Sequence, residues 1–239
     1  MPKHRDIRAV LQAGGEGRRM GSGTVPKHLA RVGGVPMIER LLRQIVAAGI
    51  RRVSVIIGPR GDLIERHLCS LRDLPEDLKL DWIRETGPRG NVGSLTEVPR
   101  DCEWTLLSFG DLVTDLDFGK LIEVHRGRGC QVTLCSHYES HRVRLGELTT
   151  DGDRVTDYLE KPEKRFLICS GICIVETSAA DLLDGARPMG ISDLVRRALD
   201  DGRTVTHWEH GAFWMDVNSP DELEAADRAV NRPVAPGDP

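Results

Sequence analysis

The apolar run "IRAVLQ" ends in a stretch that no regular element can absorb. "AGGEGRRMGSGTVPKHL" carries Gly14, Gly15, Gly17, Gly21 and Gly23 together with Arg18, Arg19 and Lys27. A strand that opens into bare backbone and positive charge is a strong constraint. Glycine lets main-chain N–H groups close around a ligand. Guanidinium and ammonium groups suit a ligand with several negative charges. Several phosphate-binding loops share these features. A dinucleotide fingerprint needs a third glycine where Met20 stands, and "VSVIIGPRG" supplies no acidic residue at the end of a second strand. A Walker loop needs Gly-Lys-Ser/Thr opening a helix, and none is present.

The rest of the chain alternates strands with amphipathic helices. "IRAVLQ", "VSVII", "WTLLSF", "QVTLCS" and "LICSGICIV" read as strands. "MIERLLRQIVAAGI" places Met37, Ile38, Leu41, Leu42, Ile45 and Val46 at helical spacing and stops at Gly49. "LDFGKLIEVHRGRG" and "SDLVRRALDDG" are further helices with glycine stops. The alternation implies an α/β domain with a mostly parallel sheet covered on both faces. From about Arg142 to Lys161 the rhythm changes, and two extended runs around Asp151-Gly152 read as a hairpin standing out from the sheet. One domain over 1–230 is expected, with 231–239 a frayed tail.

Composition narrows the function. The net charge of −4, with acids and bases both abundant, argues against a nucleic-acid partner, and aromatics are too few for a base-stacking platform. No apolar run is long enough for a membrane span, and the N-terminal apolar stretch is too short for a signal peptide. The six cysteines form no C-x-x-C pair, so they read as small buried residues of a cytoplasmic, reducing compartment.

The segment from Leu11 to Ile50 resembles the signature of the sugar-1-phosphate nucleotidylyltransferases, or nucleotide-sugar pyrophosphorylases. These open with a strand, a G-G-x-G-T-R loop, a P-K pair, a G-x-P-(L/M)-I helix start and an A-G-I helix end. "RRMGSGTVPK" is also similar to the loop of isoprenoid-type cytidylyltransferases and molybdopterin-related nucleotidyltransferases. Later segments favour the sugar family. "GPRGNVGSL" resembles its L-G-T-A-G-(A/S)-L loop, and "LLSFGDLVTDLDFGKLIEVHRGRG" its N-G-D segment. "LGELTTDGDRVTDYLEKPE" resembles its Y-G-x-V…D-G-x-V…E-K-P hairpin, and "FWMDVNSPDELEAA" its closing W-x-D-I-G-T-P-E-D. With "CSGICIV", these run through nearly the whole chain in order. The chain ends soon after the closing motif, so an appended β-helix is not expected. Departures include Arg18 for Thr, His28 for an apolar residue, Asn91-Val92 for Thr-Ala, Leu145 for Tyr and Asn218-Ser219 for Gly-Thr.

The resemblance implies a short, single-domain, three-layer Rossmann-like nucleotidyltransferase fold with a mixed, mostly parallel sheet and a β-hairpin at the sugar site. The implied reaction joins a nucleoside triphosphate to a sugar 1-phosphate and releases pyrophosphate. Its implied catalytic groups are Arg19, Lys27 and Lys161. Gly14, Gly15, Gly17, Glu85, Gly90 and Asn91 would hold the nucleotide. Gly146, Glu160, Ser170, Gly171 and Trp214 would line the sugar pocket, and Asp111 and Asp216 would hold Mg²⁺. A phosphomonoester with a second pKa of about 6 is already largely ionised at neutral pH, so no general base is needed. The obstacle is repulsion: two unit charges about 4 Å apart cost roughly 4 kcal/mol at an effective dielectric of 20.

Each residue also has a plainer reading. Arg19 and Lys27 could be solvated surface cations, Asp111 a helix cap and Asp216 a turn residue. Glu160 and Lys161 could be an edge-strand ion pair, Trp214 a core residue, and Arg18 could face solvent. Asp115 and Asp117 read as a turn and the following helix cap. Glu85, five residues before Gly90, is an acceptor-only group and favours GTP, because guanine offers two adjacent N–H donors. An isoprenoid-type cytidylyltransferase and a non-catalytic nucleotide-sugar-binding regulator remain alternatives. Oligomeric state stays open, a homo-oligomer included.

Overall fold

The computed structural model describes residues 4–15, 25–185 and 187–231. Among the described residues there are thirteen strands: β1 (Ile7–Ala13), β2 (Arg31–Val32), β3 (Val35–Pro36), β4 (Arg52–Ile57), β5 (Lys79–Arg84), β6 (Trp104–Phe109), β7 (Leu112–Thr114), β8 (Val132–Arg142), β9 (Glu147–Asp151), β10 (Arg154–Leu159), β11 (Glu163–Glu176), β12 (Val205–Glu209) and β13 (Trp214–Asp216). The helices are α1 (Met37–Ala47), α2 (Asp62–Ser70), α3 (Phe118–Arg128), α4 (Ile191–Asp200) and α5 (Pro220–Val230).

Seven strands form the main sheet in the order β12-β8-β11-β6-β1-β4-β5. Within it β11 alone runs antiparallel, against β6 and β8; the other pairs are parallel. The mixed, mostly parallel sheet read from the sequence is borne out.

Period-two alternation divides the apolar residues between two layers. Ile7, Ala9, Leu11 and Ala13 of β1 join Ile38, Leu41 and Leu42 of α1 and Leu121 and Ile122 of α3. Val10 of the same strand joins Leu194 and Ala198 of α4 on the other face. Each fully buried Val, Ile or Leu among them stabilises the fold by about 1.5–3 kcal/mol. Arg8, on Val10's face, is buried too, and it is held by Asp101 (2.9 Å), Asp81 and Ser54.

Local chemistry marks the helix ends. Gly49 (φ +97) and Gly129 (φ +57) take left-handed conformations just past α1 and α3. Asp117 caps α3 by accepting from the Lys120 N–H at 2.9 Å, as expected. The hairpin forms as β9 and β10 around Gly152, and it is exposed along nearly its whole length. Asn231 is the last described residue, so the rest of the expected tail lies outside the described residues. The six cysteines are free thiols. No described helix is long and apolar enough to cross a membrane.

Strands β1, β4, β5 and β6 finish side by side, so the segments after Ala13, Ile57, Arg84 and Phe109 gather at one sheet edge. Open parallel sheets bind their ligands at this edge. One of these segments is pinned from across the molecule. Gly90 has φ +74, and a Cβ there would lie 2.2 Å from the Met189 carbonyl oxygen. The Met189 N–H bonds Arg89 O (2.9 Å) and the Val92 N–H bonds Met189 O (3.1 Å). Gly90→Ala therefore meets backbone strain and a backbone clash together. It should lower stability by about 2 kcal/mol or more, and hence the melting temperature by roughly 4–8 °C. Urea denaturation of the two proteins measures this, and an unchanged midpoint would show that the loop can yield.

Candidate active site

Lys27 begins a 3-10 turn, Lys27–Leu29, behind Pro26. Its ammonium pairs with Asp111 and donates to Asn218 Oδ1 at 3.0 Å. Asp111 follows β6, and Asp216 closes β13. The antiparallel pairing of β7 with β13 sets Asp216 opposite Leu112, and the Val217 N–H bonds the Asp111 carbonyl at 3.1 Å. Carboxylates far apart in sequence thus meet across a two-stranded ladder. A small apolar cluster of Val32, Met37, Val113, Val217 and Ala226 supports that ladder from below.

The helix after Asn218 is fixed by its own sequence. Ser219 accepts from the Glu222 N–H (3.2 Å), Pro220 opens α5, and Glu222 Oε2 accepts from the Asn218 N–H (2.7 Å). The cap holds Asn218, whose side chain in turn reaches Lys27.

Electrostatics at this knot are unbalanced. Burial, followed by the Asp111 charge, pushes the Asp216 carboxyl above the usual carboxylate range, against lowering contributions from Asn218 and Lys27. Asp216 Oδ1 is buried with no hydrogen-bond partner among the described residues. One ammonium faces two carboxylates, so a further cation would fit their chemistry. His28 does not supply it. Burial, partly opposed by Asp111, lowers its pKa to about 4, and the ring is neutral at neutral pH.

Beside the knot lies a cavity of about 680 Å³. Gly14 and Gly15 border it, as do Lys27, Glu85, Gly90, Asn91 and Asp111. Five of the six expected nucleotide residues therefore share one space; Gly17 lies outside the described residues, as do Arg18 and the catalytic candidate Arg19. The Asn91 side chain serves the scaffold, because its Oδ1 accepts from the Ile191 N–H (2.9 Å) at the start of α4. Glu85 faces the cavity from the end of β5. Its Oε1 accepts from Ser94 Oγ (2.6 Å) and Gln12 Nε2 (3.3 Å).

The expected sugar residues form two groups. Gly171 has φ +70 and packs on Phe109, a cavity residue: a Cβ there would lie 2.7 Å from the ring. Trp214, two residues before Asp216, donates from Nε1 to Ser170 O (2.8 Å) and stacks on His137 at 4.5 Å between centroids. The Ser170 hydroxyl is fully buried between His137 Nδ1 (2.7 Å) and His210 Nε2 (2.8 Å), so it acts within the wall rather than on its surface. The second group sits at the base of the hairpin. Lys161 has φ +47, the one positive value among described non-glycine residues, and its ammonium lies 3.7 Å from Glu160. Glu160 also accepts from Tyr158 Oη (2.8 Å), and Tyr158 packs so closely on Gly146 that any Cβ there would collide. Both Glu160 and Lys161 are more than half exposed.

Sequence reasoning missed Gln12, Asn218, Ser94 and Tyr158 as site neighbours. Asn218 had left a trace, as a departure from the Gly-Thr of the closing motif. Gln12 had left another, as a polar residue inside an apolar strand.

The fold has known counterparts. HddC from Yersinia pseudotuberculosis, solved in complex with GMP-PN, superposes with a TM-score of 0.70 at 22% identity, over 94% of this chain and 99% of that one. Mannose-1-phosphate guanylyltransferase of Mycobacterium tuberculosis is 25% identical over 245 residues, 96% of this chain and 66% of its own. Glucose-1-phosphate cytidylyltransferase of Salmonella typhi is 24% identical over 238 residues, 89% of this chain and 91% of its own. The chain spans 60% to 66% of the length of the first curated relatives it matches. The resemblance read from the motifs is borne out by these relatives. Residues 9–201 match the family model of the MobA-like NTP transferase domain, and the chain belongs to that family.

Proposed function

We propose that the protein transfers a nucleoside monophosphate, from GTP, to a sugar 1-phosphate, releasing pyrophosphate. The observation that carries this is the Lys27–Asp111–Asp216–Asn218 knot at the edge of the nucleotide-sized cavity. Relatives named for guanylyl and cytidylyl transfer support the reaction class, and they show that the base must be argued from this chain's own residues.

The attacking group is the sugar phosphate itself, so the site needs charge neutralisation rather than a base. Lys27, held by Asp111 and Asn218, stands ready beside the triphosphate. The bare backbone of Gly14 and Gly15 closes on phosphate oxygens. Asp111 and Asp216 would hold Mg²⁺, which fits the partnerless Asp216 oxygen and the uncompensated negative charge. When bound, the ion would neutralise part of the triphosphate charge. Lys161 would meet the phosphate of the incoming sugar and Glu160 its hydroxyls. The strained backbone of Lys161 supports a functional placement of that side chain. Arg19 would hold the triphosphate from the glycine loop, and Trp214 with Gly171 would wall the sugar. A soluble, cytoplasmic enzyme fits these substrates.

Glu85 would read the base. A carboxylate accepts from N–H donors and repels the carbonyl flanks of uracil, thymine's equivalents, and cytosine N3. Glu85→Gln should reduce GTP use by about ten- to hundredfold while sparing pyrimidine triphosphates. Pyrophosphate release over a matrix of triphosphates and sugar 1-phosphates tests both the reaction and the base. Preference of the wild type for dTTP or UTP would overturn the GTP assignment.

Asp216 should trade stability for function. Its pKa in the folded protein is raised, so its ionised form is penalised by folding. Stability rises as pH falls through that pKa, and the penalty persists above it. Asp216→Asn should therefore abolish most turnover yet raise the melting temperature of the metal-free protein at neutral pH, by about 2–4 °C for each kcal/mol relieved. Calorimetry and turnover, measured on one preparation, check both halves. Near-normal turnover would remove Asp216 from the metal site.

The two lysines should separate kinetically. Lys161→Ala should raise KM for the sugar phosphate more than for the triphosphate, whereas Lys27→Ala should lower kcat. Steady-state kinetics with each substrate varied in turn distinguish them, and equal effects of Lys161→Ala on both KM values would contradict its role.

A further inference from the structure

Gln12 stands where β1 leaves the core. Strand alternation puts it on the face of Val10, and there the face opens into the cavity beside Glu85. Its amide nitrogen donates to Glu85 Oε1 (3.3 Å) and to the Gly90 carbonyl (3.3 Å). Both partners are acceptors, so the amide orientation is determined: turned over, its oxygen would face two other oxygens. The amide oxygen, Oε1, is consequently left over. It is buried and has no hydrogen-bond partner among the described residues. Buried polar atoms are nearly always paired in folded proteins, and a ligand donor would complete this one.

Glu85 is half used in the same way. Ser94 and Gln12 both donate to its Oε1. Its Oε2 turns toward Gly14, where a Cβ would lie 2.0 Å from it, so only glycine leaves room. The carboxylate cannot then receive a base with both oxygens free. Both side chains line the cavity, and the Gln12 oxygen, buried under that lining, is reached by a ligand donor once the amide shifts toward it.

We infer that Gln12 Oε1 and Glu85 Oε2 act as an acceptor pair for guanine, Glu85 taking the ring N1–H and Gln12 the exocyclic 2-amino group. The inference rests on the reading of this cavity as a GTP site. The ring N–H is the more acidic donor and suits the charged acceptor. Among the common bases only guanine presents two donors side by side. Adenine and cytosine offer a donor beside a bare ring nitrogen, and uracil and thymine offer one N–H between carbonyls. Gln12 is thus a specificity-determining residue that also orients Glu85.

Inosine triphosphate separates the two roles, because it keeps the N1–H and lacks the 2-amino group. Equilibrium binding of GTP, ITP and dTTP, each with Mg²⁺, is measured on the wild type, Gln12→Leu and Gln12→Asn. The wild type should bind GTP about ten- to hundredfold more tightly than ITP. Gln12→Leu should bring GTP down toward ITP, and Gln12→Asn, which withdraws the amide by one methylene, should do likewise if the Leu variant does not fold. A purely positioning role would weaken GTP and ITP equally, because both use Glu85. An unchanged GTP/ITP ratio in the folded variants would overturn the inference while leaving GTP as the donor. A wild type that prefers dTTP would instead overturn the underlying assignment of the cavity.

Discussion

Two carboxylates that would avoid one another in water are forced together at the edge of this sheet. Asp111 and Asp216 approach because β7 and β13 pair, and the ladder is bonded on both sides of the contact, by Val217 to Asp111 and by Asp115 to Phe213 (3.2 Å). Lys27 compensates one charge and leaves the other. Such an arrangement persists only where surrounding structure over-determines it. Here the supports are the apolar cluster under the ladder, the cap of α5 and the neutral, buried ring of His28. The site holds unfavourable electrostatics that a cationic ligand would relieve, which is a common condition of functional sites.

The topology explains why these groups can meet. Parallel strands deliver their C-terminal ends to one edge, so Gly14, Gly15, Glu85, Gly90 and Asp111 reach the same cavity from segments spread over the first half of the chain. The antiparallel strand β11 then brings the later half to that edge. Its register with β8 shifts between Cys169 and Cys173, where Gly171 takes positive φ against Phe109. The irregularity is where a wall of the proposed sugar pocket forms. Beyond it, β8 and β11 continue outward together and carry the exposed hairpin.

Strands with both faces covered were legible in the sequence, because β1, β4 and β6 are nearly continuous apolar runs. β5 was not: it is an edge strand reading "KLDWIR", with a single buried residue, Ile83. α5 escaped for a similar reason, since only Ala226 on it is buried and its cap chemistry marks it better than any apolar stripe. α2 is short and buries only Ile64 and Leu68. Within the site, residue types and motif order led to Lys27, Asp111 and Asp216, but nothing local in the sequence says that positions 111 and 216 touch. That contact depends on a three-residue ladder with no signature of its own. Gln12 was read as part of an apolar strand, because periodicity records which face a side chain takes and not where along the strand the core stops.

The cavity is lined by groups of both signs, and this bears on how a nucleotide could lie in it. Glu85 and Gln12 bring acceptors to it, and Lys27 with the backbone of Gly14 and Gly15 brings donors. On the proposed reading, a triphosphate against Glu85 would meet a carboxylate, and a base against Lys27 would leave the ammonium without an added anion. Orientation is then set by repulsion of the wrong pose as much as by attraction of the right one. The same polarity couples the two selections the protein must make. On the inferred pairing, Gln12 holds Glu85 through one amide atom and would offer the other to the ligand, so the residue that orients the acceptor for one donor would itself be the acceptor for the next. On that reading, base recognition would rest on an interaction internal to the protein, formed before any ligand arrives.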